Sequence, residues 1–184
     1  MIRRFTVFLY YRVFGWKAVG MEHIKPLKKF ILIGAPHTSW HDFFIGIAIR
    51  QVLDMNISFI GKKELFKWPL GWYFKKVGGI PLDRTSGQNK VEAIANLFSD
   101  KEELRIAMSP EGTRARVEHW KTGFYHIAKQ AKIPIVMMTF DFGNKLNTFS
   151  QPFYPTDDQE KDFEYMYEFF KGIKGKVVAK SFRV

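Results

Sequence analysis

The feature that most constrains this chain is a set of five short apolar runs set between longer helical patterns. They read "FILIGA" (30–35), "ISFIG" (57–61), "GGIPL" (78–82), "LRIAMS" (104–109) and "IPIVMMTF" (133–140). Each has the length of a buried strand, and most carry the β-branched and aromatic residues that strands favour. Helical patterning occupies 39–53, two short stretches within 62–76 split by Pro69, 88–99, Thr122 to Lys132, and finally 157–172. Strands that alternate with helices are joined by crossovers, and crossovers give parallel sheets. The expectation is an α/β fold: a single domain with a mostly parallel central sheet flanked by helices. A length of 184 residues suits one domain, and no repeat, low-complexity tract or linker divides it.

Composition narrows the function. There is no cysteine, which excludes disulfides, zinc–thiolate centres and cysteine nucleophiles. The net charge is +11, and residues 1–76 hold 13 basic against 4 acidic side chains. Every tryptophan except Trp120 lies in that same part. Basic residues mixed with aromatic ones suit an anionic membrane surface. Nucleic acid would attract the same charge, so charge alone does not choose. No apolar run approaches the roughly 20 residues that span a bilayer. The N-terminus mimics a signal peptide, but Arg12 breaks its apolar core and no small-x-small cleavage site follows. Residues 1–20 are expected to form an interfacial helix ahead of a domain at 21–184. In that helix Arg3, Arg4, Arg12 and Lys17 would meet headgroups, while Phe5, Phe8, Leu9, Val13 and Trp16 dip inward. Trp68 and Trp72 are expected at the same interface. The competing reading is a helix that packs on its own domain, since the segment is apolar on most sides.

In open α/β sheets, ligands bind beyond the carboxyl ends of the strands. His37 and Asp42 follow the first run, Asp83 and Arg84 the third, and Glu111, Gly112, Thr113 and Arg114 the fourth. Histidine can take a proton from a hydroxyl near neutral pH. A carboxylate on its other ring nitrogen fixes the tautomer and stabilises the imidazolium. The same stretch, "APHTSWHD", also has Ser39 and Asp42 at capping-box spacing, so Asp42 has a purely structural reading too. His37 and His41 stand four apart, but a metal needs a third ligand and no other histidine is near, so no metal is expected. In "GGIPLDR" an arginine fork stands ready to grip a phosphate. In "SPEGTRAR", Gly112 permits close backbone approach, Arg114 suits an anion, and Glu111 suits a substrate hydroxyl.

Four blocks, His37–Asp42, Gly78–Arg84, Pro110–Arg114 and Ile133–Met137, together resemble the glycerolipid acyltransferase family, typified by 1-acylglycerol-3-phosphate acyltransferases. The resemblance implies that His37 is the base on an acceptor hydroxyl and that Asp42 orients it. It implies that Arg84 binds the acceptor's phosphate or other anionic headgroup. Glu111, Gly112, Thr113 and Arg114 would position the acceptor, supported by Lys121 and Gly123. The acyl donor would be a thioester of coenzyme A or acyl carrier protein, with no permanently bound cofactor. The acceptor would be 1-acylglycerol-3-phosphate, another lysophospholipid or an amino-acid-linked lysolipid. The resemblance further implies work at the cytoplasmic face of the cell inner membrane, peripheral or monotopic, and a membrane rather than nucleic acid as partner.

Overall fold

The computed structural model describes residues 2–82 and 90–182. Its strands are β1 (Lys17–Val19), β2 (Lys29–Ala35), β3 (Ser58–Lys62), β4 (Gly79–Leu82), β5 (Leu104–Met108), β6 (Ile135–Thr139) and β7 (Leu146–Thr148). Its α-helices are α1 (Ile2–Phe8), α2 (His41–Leu53), α3 (Gly71–Lys76), α4 (Lys90–Ser99), α5 (Gly123–Ala131) and α6 (Gln159–Phe170). Five strands form one parallel sheet in the order β4-β3-β5-β2-β6. β2 runs between β5 and β6, so the loop that leaves it at the sheet's carboxyl edge has a strand on either side.

Period-two alternation along β2 divides the core into two layers. Ile31, Ile33 and Ala35 face α4, α5 and α6, whose contributions include Phe98, Phe124 and Met166. Phe30 and Leu32 face the other way, toward Ile49 and Leu53 of α2 and toward Tyr10 and Trp16. Helices therefore cover both faces of the sheet, as the alternation of runs predicts.

The N-terminal segment departs from a helix over 1–20. α1 continues into a π-helical turn at Leu9–Val13, and the chain then enters β1, which pairs in parallel with β7. The turn aims Tyr10 inward, with its hydroxyl 2.7 Å from Asn147 Oδ1 and 2.9 Å from Lys17 O. α1 is held on the domain by Arg3, whose Nε donates to Gln51 O at 3.0 Å and pairs with Asp54 at 3.0 Å. Trp16, expected at a membrane interface, is 5% exposed and belongs to the core. It meets Phe142 edge-on at 4.9 Å and packs beside Tyr10. The reason is the β1–β7 pairing, which pulls the chain back under the sheet immediately after Gly15. Leu9 is half-buried, whereas Arg4, Phe5, Phe8 and Val13 remain exposed. Trp68 is 92% exposed, and Trp72 is exposed too.

Candidate functional site

The site starts with two adjacent strand ends. β2 and β5 run side by side in register, so the turns that follow them touch. After β2, the chain passes through a cis Ala35–Pro36 bond and the His37–Ser39 loop into α2. His37 Nδ1 lies 3.0 Å from Asp42 Oδ2. The Asp42 side chain is 0% exposed and the His37 side chain 23%, so one partner is sealed and the other reaches the surface.

Asp42 Oδ2 also accepts the backbone N–H groups of Thr38 at 2.8 Å and Ser39 at 2.9 Å. The Ser39 contact is the backward half of a capping box, formed in the first turn of α2 where the helix dipole favours a carboxylate. The structural and the chemical readings of Asp42 are thus served by one oxygen. Two backbone donors and the imidazole fix its position, and the imidazole's Nδ1 is turned toward it. That leaves Nε2 as the proton-accepting nitrogen.

Glu111 supports the pair from β5. Its Oε2 accepts the backbone N–H of His37 at 2.6 Å and lies 3.4 Å from Ser109 Oγ. Burial raises its carboxyl pKa above the ordinary value, and the His37 N–H, the His37 ring and Ser109 oppose that rise. Sequence reasoning placed Glu111 on a substrate hydroxyl; here, 1% exposed, it is engaged with the protein's own backbone. It shapes the loop that carries His37.

In the rest of the "PEGTR" turn Pro110 is buried, and Gly112, Thr113 and Arg114 are exposed. Gly112 adopts φ +66°, in the left-handed region that glycine tolerates, and its N–H donates to Ser109 O at 3.1 Å. Thr113 and Arg114 are exposed, and Thr113 Oγ1 accepts Ala115 N–H at 3.2 Å. Lys121 N–H donates to Pro110 O at 2.9 Å, and its side chain lies over Gly112, where an added Cβ would stand 2.9 Å from Lys121 Cδ. Gly123 opens α5 directly behind. Arg84 lies outside the described residues. His41 is turned away from His37: its Nδ1 lies 2.8 Å from Ser39 Oγ and its ring packs on Trp40. Among the described residues, no cluster of three or more His, Asp or Glu is placed to hold a metal ion.

Sequence reasoning missed the roles of Thr38 and Glu111 in holding this loop. The signal for Thr38 lay in the "HTSWHD" block itself, since a loop that turns on an aspartate offers it backbone N–H groups. The signal for Glu111 needed the strand order.

A parallel α/β sheet thus carries, in the loop and helix that follow its interior strand β2, a half-open histidine paired with a buried carboxylate. The chain belongs to the acyltransferase family, whose model matches residues 16–141. Among similar proteins, the 1-acyl-sn-glycerol-3-phosphate acyltransferase of Saccharomyces cerevisiae is 31% identical over 128 residues, covering 65% of this chain and 41% of the relative. That of Cocos nucifera is 32% identical over 108 residues, 55% of this chain and 34% of the relative. An uncharacterised acyltransferase of Schizosaccharomyces pombe is 27% identical over 150 residues, 77% of this chain and 50% of the relative. The chain therefore spans only about a third to a half of the length of these relatives.

Proposed function

We propose that this protein transfers a fatty acyl group from an acyl thioester, on coenzyme A or acyl carrier protein, to the hydroxyl of a lysolipid of the 1-acylglycerol-3-phosphate class. The observation that carries this reading is the His37–Asp42 pair at 3.0 Å within the stretch that matches the family. His37 Nε2 takes the acceptor's hydroxyl proton while the oxygen attacks the thioester carbonyl. The new C–O bond forms, the C–S bond breaks, and the imidazolium returns the proton to the leaving thiolate. Asp42 stabilises the imidazolium between these steps. Direct transfer needs no acyl-enzyme, which agrees with a chain that has no cysteine. Arg84 and Arg114 supply guanidinium groups for the acceptor's anionic headgroup.

The reaction takes place at a membrane surface, on its cytoplasmic face. Support for the membrane contact comes from Ile2, Phe5, Phe8, Trp68, Leu70 and Trp72, all exposed, in segments that also carry basic side chains. Such amphipathic surfaces lie in the headgroup region. Among the described residues no helix is long and apolar enough to cross a bilayer.

The test is an acyltransfer assay over a panel of lysolipids, with acyl-CoA and acyl carrier protein donors, read by mass spectrometry. His37→Ala is expected to lower kcat on the order of 10²-fold or more without unfolding the protein. A folded His37→Ala variant that works at the wild-type rate would sink the reading.

A further inference from the structure

Beyond α6 the chain returns across the carboxyl edge of the sheet as a strap. Phe142 N–H donates to Lys174 O at 2.9 Å, and Gly175 N–H donates to the buried Ser181 Oγ at 3.0 Å. Val177 N–H donates to Thr38 Oγ1 at 3.1 Å. Phe182 then closes the strap against Trp120 and Tyr167, with ring centroids 5.4 Å and 5.1 Å away. The fit over the loop is tight: a Cβ on Gly175 would stand 2.7 Å from both Thr38 Cγ2 and Oγ1, and 3.1 Å from Pro36 Cγ. Backbone can come this near only where the strap has a glycine. All of these strap residues lie past residue 141, where the family match ends.

Thr38 links the strap to the chemistry. It is buried, its side chain is fixed by Val177 and Gly175, and its own N–H donates to Asp42 Oδ2. We propose that Thr38 and the strap Gly175–Val177 are positioning residues for the His37–Asp42 pair, a proposal that rests on the acyl-transfer reading for what the pair does. The strap clamps the Thr38 side chain, which sets the plane of the Thr38 peptide. The N–H of that peptide holds Oδ2, and Oδ2 holds the imidazole. The groups that face His37 are Asp42 from α2 and Glu111 from the turn after β5, with Ser109 beside it. The strap touches the His37 loop at Thr38 and, through Gly175, beside Pro36, and of these two it is Thr38 whose N–H donates to Asp42.

Four variants test this: Thr38→Val, which keeps the shape and loses the acceptor; Thr38→Ser, which keeps the acceptor; Gly175→Ala, which lifts the strap; and the exposed Val178→Ala as control. For Thr38→Val and Gly175→Ala, kcat is expected to fall about 10-fold or more while KM for donor and acceptor stays within about twofold, as expected when a catalytic group is misplaced rather than a binding site lost. Thr38→Ser should restore kcat, and Val178→Ala should leave it unchanged. Independently of activity, Val177 amide exchange should accelerate in Thr38→Val, and the His37 Nδ1–H proton resonance should broaden through exchange with water. Wild-type kcat in Thr38→Val and Gly175→Ala would overturn the proposal, as would a fall that Thr38→Ser shares. If the wild-type protein transfers no acyl group to any lysolipid, the transferase reading fails by itself. The Nδ1–H resonance then decides: broadened in both variants, the strap positions the pair; unchanged in both, it does not. If Gly175→Ala does not fold, Thr38→Val with its serine control carries the test.

Discussion

Two parts of this molecule use similar side chains in opposite ways. In the loop at 37–42, a histidine and a carboxylate are held by backbone donors, and one oxygen of Asp42 has three partners. On α1 and on residues 63–76, Phe5, Phe8, Trp68 and Trp72 stand exposed, as do Arg4, Lys67, Lys75 and Lys76. The first region is complete without a partner: its geometry is fixed by packing before any substrate arrives. The second is stable as built but exposes more apolar surface than water favours, which is the mark of a surface meant to meet something else. The proposed chemistry and the proposed membrane contact thus fall on different parts of the chain.

The sharpest way to break this comparison is to treat two tryptophans alike. Trp16→Ala is expected to cost about 3–5 kcal/mol of stability, because it opens the core beside Tyr10 and Phe142. Trp68→Ala should stay within about 0.5 kcal/mol of wild type, as surface substitutions usually do. Chemical denaturation of both variants checks the pair. Equal losses would mean that the exposed surface is part of the fold. Next in size is the double change Phe5→Asp with Phe8→Asp. Sedimentation with anionic liposomes should give binding weakened by about 10-fold or more, with the thermal midpoint nearly unchanged, since these rings contribute to membrane affinity through buried apolar area. Binding equal to wild type would remove α1 from the proposed interface. Deleting the whole segment would be a poorer test, because Tyr10 and Trp16 belong to the core.

The smallest effect concerns Glu111. Burial raises its pKa in the folded protein, so the folded state favours the protonated carboxyl. Its contribution to stability is therefore fully present below the ordinary carboxyl pKa and is lost as pH rises through the raised value. Glu111→Gln keeps an acceptor for the His37 N–H and cannot ionise. Its thermal midpoint relative to wild type should rise as pH moves from acid toward neutral, by an amount equivalent to about 1 kcal/mol or less. A difference that is flat with pH would show that Glu111 titrates alike in the folded and unfolded chains.

Much of the sheet was legible because its runs are apolar along their whole length. "FILIGA" became Lys29–Ala35 and "IPIVMMTF" contains Ile135–Thr139, as expected for strands covered on both faces. α5 began and ended within a residue of expectation, with Lys132 closing it in the left-handed conformation. The small β1–β7 sheet was not legible. "KAV" and "LNT" are three residues each, mixed in polarity, and neither shows a period. Trp16 was misread for that reason: without β1 nothing in its neighbourhood draws it inward. The spacing of His37 and Asp42 was visible in the sequence. What could not be seen was that Glu111 would face the loop's backbone, because that depends on β5 lying next to β2. The expectation for Arg84 falls outside the described residues.

The carboxylate of Asp42 is used unevenly. Oδ2 meets His37, Thr38 and Ser39, while Oδ1 has no hydrogen-bond partner among the described residues. Helix entry, loop shape and imidazole orientation therefore converge on one atom, and a mutation that moves that atom disturbs all three. A longer acid at position 42 would displace all three at once, and an uncharged isostere would keep the shape but not the counter-charge. Position 42 leaves a drifting sequence no gradual route, so loss of function there should come in one step.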